Sequence, residues 1–129
     1  RRTGVILELH GTLARTCLFY VGAIGLWSTW LALRGRGLDG SFLGAVIIGE
    51  GLLVVQGALG AWLHLAGGMA LDRWVHVLYG LLAVLMWPFV LTFRHAASGR
   101  REAIAFAAAT FFLWLLVRRA VETAHLAPL

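Results

Sequence analysis

Five histidines stand in a chain of 129 residues that has six acids and whose basic residues are all arginine. An imidazole can ligate a metal, move a proton or sit at an interface. Position along the chain separates these uses. His10, His64, His76 and His125 each lie toward one end of an apolar run, whereas His95 stands in an arginine-rich break. If the runs are helices that alternate in direction, the start of the first, the end of the second, the start of the third and the end of the fourth share one face. That collects His10, His64, His76 and His125 at one level and leaves His95 on the other side. In an up-down bundle the first and third helices are diagonal across the core. Imidazoles at matching depth on diagonal helices can grip one iron from both sides, as in a bis-His heme. A porphyrin is wide and needs small residues beside it. Gly80 and Ala83 follow His76 by one and two turns, and Ala14 and Cys17 follow His10 on its own face. Arg15 and Arg73 are close enough in sequence to pair with propionates, because a guanidinium fork binds both carboxylate oxygens. The expected site is therefore heme b held by His10 and His76, completed by Arg15, Arg73 and Gly80, with His64 as the second-choice iron ligand. Two histidines fill both axial positions, which points to electron transfer and away from oxygen chemistry. The plainer alternative is that these histidines sit at the interface and that the small residues serve close helix packing.

Glu50 is the other residue with chemical potential. It falls about eight residues into the second apolar run, inside the hydrocarbon by rise per residue. A carboxyl there is costly and should face the bundle or a partner. Glu50, Gly57 and His64 recur every seven residues and share a helical face. Two uses follow: an acid at a proton-relay or quinone site, or a protonated carboxyl hydrogen-bonded to a backbone group or to Gln56.

These residues need elements to carry them. The chain is 60% apolar and 13% charged, with a mean hydropathy of +0.84. A soluble domain is about a quarter charged, and a core this small could not hide so much apolar surface. The expected fold is all-α: an integral membrane four-helix up-down bundle forming a single domain over residues 1–129. Its spans are expected at about 13–33, 42–65, 74–93 and 102–117, the first with a regular pattern reaching back toward Val5 and the last running on toward Thr123. Each can cross a bilayer, which takes about 20 residues. The breaks at Arg34–Gly40, Gly67–Arg73 and Arg94–Arg101 are short, so sequential helices should be antiparallel neighbours. Pro88 should kink the third helix or free a carbonyl. The net charge of +5 comes from arginines at span ends, which act as anchors and topology signals, so nucleic acid is not an expected partner. Cys17 is the only cysteine, which excludes a disulfide framework. The first apolar run is too long for a signal peptide and lacks a small-residue cleavage site.

Loop charge sets orientation. Arg34, Arg36, Arg94, Arg100 and Arg101 flank the first and third breaks, against Arg73 alone in the second, while Arg1, Arg2, Arg118 and Arg119 pull the other way. The loops favour both termini on the outer, periplasmic side of a bacterial inner membrane.

Two short segments carry a resemblance. Gln56-Gly57-Ala58-Leu59-Gly60-Ala61-Trp62, followed after a short break by Trp74-Val75-His76-Val77-Leu78-Tyr79-Gly80, resembles the third and fourth helices of one half of heme A synthase. Glu8-Leu9-His10 is similar to the acid and histidine that open an earlier helix in that family. The likeness covers roughly residues 8 to 92. It implies a four-helix half-unit with heme between two such histidines, hence His10 and His76 as ligands. The family has eight helices in two halves, and its acid stands three residues before the histidine with an arginine after it. Here Glu8 is two before and Gly11 follows, so the synthase activity is not carried over. A half-unit of this kind looks more like a small b-type membrane cytochrome.

The expected function is a heme-binding subunit passing electrons within a respiratory or photosynthetic complex, with the lipid bilayer and other membrane subunits as partners and a quinone as a further candidate. An electron-transfer or accessory subunit is expected rather than a stand-alone enzyme. The alternatives are a cofactor-free structural or accessory transmembrane subunit of a larger complex and, more weakly, a transporter or quinone-reactive protein built around Glu50. No nucleophile triad, phosphate loop or zinc spacing is visible.

Overall fold

A computed structural model describes the backbone over residues 2–65, 74–92 and 99–125, and side chains over 4–65, 74–92 and 99–122. These described residues form four helices: α1 (Arg2–Leu33), α2 (Gly40–Leu65), α3 (Trp74–Thr92) and α4 (Arg100–His125). All four are long and apolar enough to cross a membrane, and the chain is a multi-pass membrane protein with an all-α four-helix bundle. The helix α1 begins ahead of the apolar stretch and α4 continues past it. Apolarity marks what sits in hydrocarbon, whereas the backbone hydrogen-bond ladder runs on wherever no breaker intervenes.

The ends are set by local chemistry. The helix α1 closes at Gly35, whose φ of 68° is left-handed. There the Arg36 N–H donates to Leu31 O and the Gly35 N–H to Ala32 O, the paired bonds of a glycine-terminated helix. Asp39 caps α2, its Oδ1 accepting from the Phe42 N–H at 2.8 Å. Pro88 lies inside α3, which continues to Thr92; the missing N–H leaves the Val84 carbonyl without its helical donor.

Adjacent helices are antiparallel. His10 near the start of α1 meets Gly60 near the end of α2, Gly25 of α1 meets Thr110 of α4, and His76 at the start of α3 bonds Ala120 at the end of α4. The helix α4 packs along both α1 and α3, α2 lies on α1, and α2 meets α3 over the shortest stretch. Thus α1 and α3 are diagonal.

Each helix turns a seven-residue seam inward. On α1 it runs through Cys17, Val21, Ile24, Ser28 and Leu31; on α2 through Phe42, Val46, Gly49 and Leu53; on α3 through Ala83 and Trp87; on α4 through Ala103, Phe106, Thr110, Leu113 and Val117. The half of the bundle away from His10 is filled by rings. Trp87 stacks on Phe106 at 6.3 Å, Phe106 meets Phe42 edge-on at 5.2 Å, and Trp27 meets Phe42 at 5.2 Å. Trp87 donates its Nε1–H to Thr110 Oγ1 at 3.0 Å, which satisfies both buried polar groups.

Candidate functional site

Toward the other end the same four seams stop touching. The seam of α1 continues as Ala14 and His10, that of α2 as Gln56 and Gly60, that of α3 as Gly80 and His76, and that of α4 as Ala120. Between them lies a mainly apolar cavity of about 820 Å³. This is within the range of small-molecule and cofactor sites. Its wall is made of small residues where it must be wide: a Cβ added at Gly11 or Gly80 would meet nothing within 4 Å.

Three histidines line it: His10 from α1, His64 from α2 and His76 from α3. The rings of His10 and His76 face each other with centroids 6.1 Å apart and planes at 80°. The diagonal pairing anticipated from helix alternation is therefore present. His125 has no described side chain, and His95 lies outside the described residues.

The two facing imidazoles are held differently. His76 Nδ1 is 2.7 Å from the Ala120 carbonyl. A carbonyl only accepts, so Nδ1 carries the proton and Nε2 is the basic nitrogen. His10 is seated by a missing side chain: a Cβ at Gly60 would lie 3.2 Å from its Cε1. The His10 ring shares a hydrogen bond with the Gln56 backbone, although its Nδ1 is buried without a close partner. His64 Nδ1 and Gln56 Oε1 are likewise buried and unpartnered. An orphaned buried polar atom costs about 1–3 kcal/mol, and three of them on one cavity wall make an unusual concentration.

The remaining expected residues divide. Gly80 and Arg15 line the cavity, and Arg15 makes no ion pair among the described residues, with Glu8 or otherwise. Arg73 lies outside the described residues. Glu50 is not on the cavity wall; it is partly buried, and its Oε1 has no hydrogen-bond partner. Gly57 and His64 share the cavity while Glu50, one heptad deeper, is cut off from it. Gly60 and Ala120 were not singled out as site residues by sequence reasoning. Gly60 had a signal, since it sits on the α2 seam seven residues beyond Leu53. Ala120 had none, because its contribution is a backbone oxygen.

The donor set can be tested against chemistry. Among the described residues no group of three or more His, Cys, Asp or Glu side chains converges on one point. Two imidazoles bound end-on to one iron place their ring centres about 6 Å apart, given metal–nitrogen bonds of about 2.0 Å. The observed separation of 6.1 Å matches that spacing, and the cavity the two rings line has a volume of about 820 Å³. The residues fit a heme.

Comparison with protein-family models, with curated proteins and with solved structures finds no match to this chain in any of the three.

Proposed function

We propose that this chain is a b-type heme subunit of a membrane electron-transfer complex, with His10 and His76 as axial ligands. One observation carries the proposal: two imidazoles on diagonal helices have ring centres 6.1 Å apart, near the spacing a shared iron needs, on the wall of a cavity of about 820 Å³. When bound, the heme would supply one-electron redox chemistry at a potential set by its ligands and surroundings. The chain does the rest. His76 is held in one tautomer by Ala120, His10 is steered by the bare Gly60, and Arg15 offers a cation to carboxylates. The small faces at Gly11 and Gly80 leave width for the macrocycle, and the aromatic half closes the site from below. With His10 and His76 both holding it, the group would serve electron exchange.

By loop arginine count, both termini and this cavity belong on the outer side of a bacterial inner membrane. The assembly proposed for it is a respiratory or photosynthetic one. A quinone is a candidate electron partner for it.

The test is a titration of hemin into the purified chain in detergent. A single tight site with a low-spin Soret spectrum is expected. His76→Ala should lose most of that uptake while remaining monodisperse. Failure of the wild-type chain to develop a Soret band beyond that of hemin in detergent would end the proposal.

A further inference from the structure

The end of the bundle opposite the histidines gathers arginine. The turn after α1 carries Arg34 and Arg36, and α4 opens with Arg100 and Arg101. All four are exposed, and none forms an ion pair with a described residue. Asp39 does not neutralise them, because its Oδ1 is taken by the Phe42 N–H. At the histidine end, by contrast, Arg118 and Arg119 both reach Glu122, at 3.1 and 2.8 Å.

Backbone contact brings the two arginine pairs together. Gly37 is pressed against Gly99: an added Cβ would lie 3.1 Å from the Gly99 Cα and 3.3 Å from its N and O. Arg36 precedes the first of these glycines and Arg100 follows the second, so the two arginine-bearing segments meet at one point. The first segment is fixed in shape by the bond from the Arg36 N–H to Leu31 O. Arg34 lies over the Trp30 ring, 5.6 Å from its centroid, a cation–π contact at the depth where tryptophan marks the bilayer surface. Like charges gathered at that depth repel one another, and an anion beside them relieves the repulsion. The anion that stands at that depth is a lipid phosphate.

We propose that the Gly37–Gly99 junction is a headgroup site for an anionic phospholipid, shared between Arg34 and Arg36 on one segment and Arg100 and Arg101 on the other. Guanidinium suits the task because its planar fork can bind two phosphate oxygens at once. A zwitterionic lipid brings its own cation to the same place, so the site selects by headgroup charge. A diffuse positive surface would respond only to the number of charges. This site also depends on the two segments staying in contact. It is independent of the heme.

The experiment titrates the purified full chain, in neutral detergent, with phosphatidylglycerol or phosphatidylcholine and counts one-to-one adducts by native mass spectrometry. The wild-type chain is expected to prefer phosphatidylglycerol about tenfold or more, less so as ammonium acetate is raised. Arg34→Gln/Arg36→Gln and Arg100→Gln/Arg101→Gln should each remove most of that preference. Arg118→Gln/Arg119→Gln, which removes as many charges at the other end, should keep it. Gly37→Ala changes no charge but drives a methyl into the Gly99 backbone, and it should weaken phosphatidylglycerol binding severalfold. Thermal unfolding in the same detergent should be unchanged by the arginine replacements, since all four side chains are exposed. A wild-type chain with no preference overturns the inference. So does an equal loss in the Arg118→Gln/Arg119→Gln variant, or a Gly37→Ala variant that binds like wild type, since either would reduce the site to diffuse charge. Inorganic phosphate that displaces phosphatidylglycerol at equal concentration would overturn the assignment to a lipid.

Discussion

The bundle has two halves made from the same four seams and opposite in character. In one, Phe42, Trp87, Phe106, Leu31 and Leu113 are essentially fully buried, and Thr110 and Ser28 are satisfied by hydrogen bonds. In the other, glycine, alanine and histidine take the equivalent positions, a cavity opens, and three side chains carry buried polar atoms with no partner. Glycine makes the contrast sharpest. At Gly49 an added Cβ would lie 2.6 Å from the Tyr20 ring and 2.7 Å from Trp87, whereas at Gly80 it would meet nothing. The same residue type permits close contact in one half and preserves space in the other. A bundle held together by its closed half can leave the open half unfilled without loss of the fold.

Substitutions can break this comparison or sharpen it. The largest effect is expected at Trp87→Ala, which empties the centre of the closed half and leaves Thr110 without its donor. Truncating a buried tryptophan costs about 3–5 kcal/mol, and thermal unfolding followed by size-exclusion in detergent should show it. Gly49→Ala comes next. It forces a methyl into Tyr20 and Trp87 and should cost about 1–3 kcal/mol by overpacking in the same assay, with hemin uptake by the surviving fraction unchanged. At Gly60→Ala the methyl meets only the His10 ring at 3.2 Å. Stability should hold, while hemin affinity falls by about 1 kcal/mol, roughly fivefold, in a Soret titration. The smallest effect belongs to Gly80→Ala, where the methyl enters open space. Helix propensity alone then favours alanine by about 0.5–1 kcal/mol, read as a slightly higher unfolding temperature. If Gly49→Ala and Gly80→Ala had equal effects on stability, the two-halves description would be wrong.

Much of this was legible in the sequence for a physical reason. Spans show as apolar runs, and breaks show as arginine, glycine and aspartate. Alternation of direction then puts His10, His64 and His76 at one level. The start of α1 at Arg2 was less legible, because helix continues beyond the apolar stretch that marks a span. Glu50 illustrates a deeper limit. Its heptad relation to Gly57 and His64 is real, but the cavity ends above it, and how far a cavity extends depends on side-chain packing from three other helices. Nor could the seating of His76 be read from residue types, since it depends on the Ala120 backbone oxygen on a fourth helix.

The most direct test of the central claim is low-temperature electron paramagnetic resonance of the oxidised, hemin-loaded chain. Two histidines on one iron with ring planes near the observed 80° predict a low-spin signal of the highly anisotropic type that perpendicular imidazoles give, lost when either His10 or His76 is replaced by alanine. A high-spin signal in the wild-type chain, or a low-spin signal that survives both replacements, would contradict it.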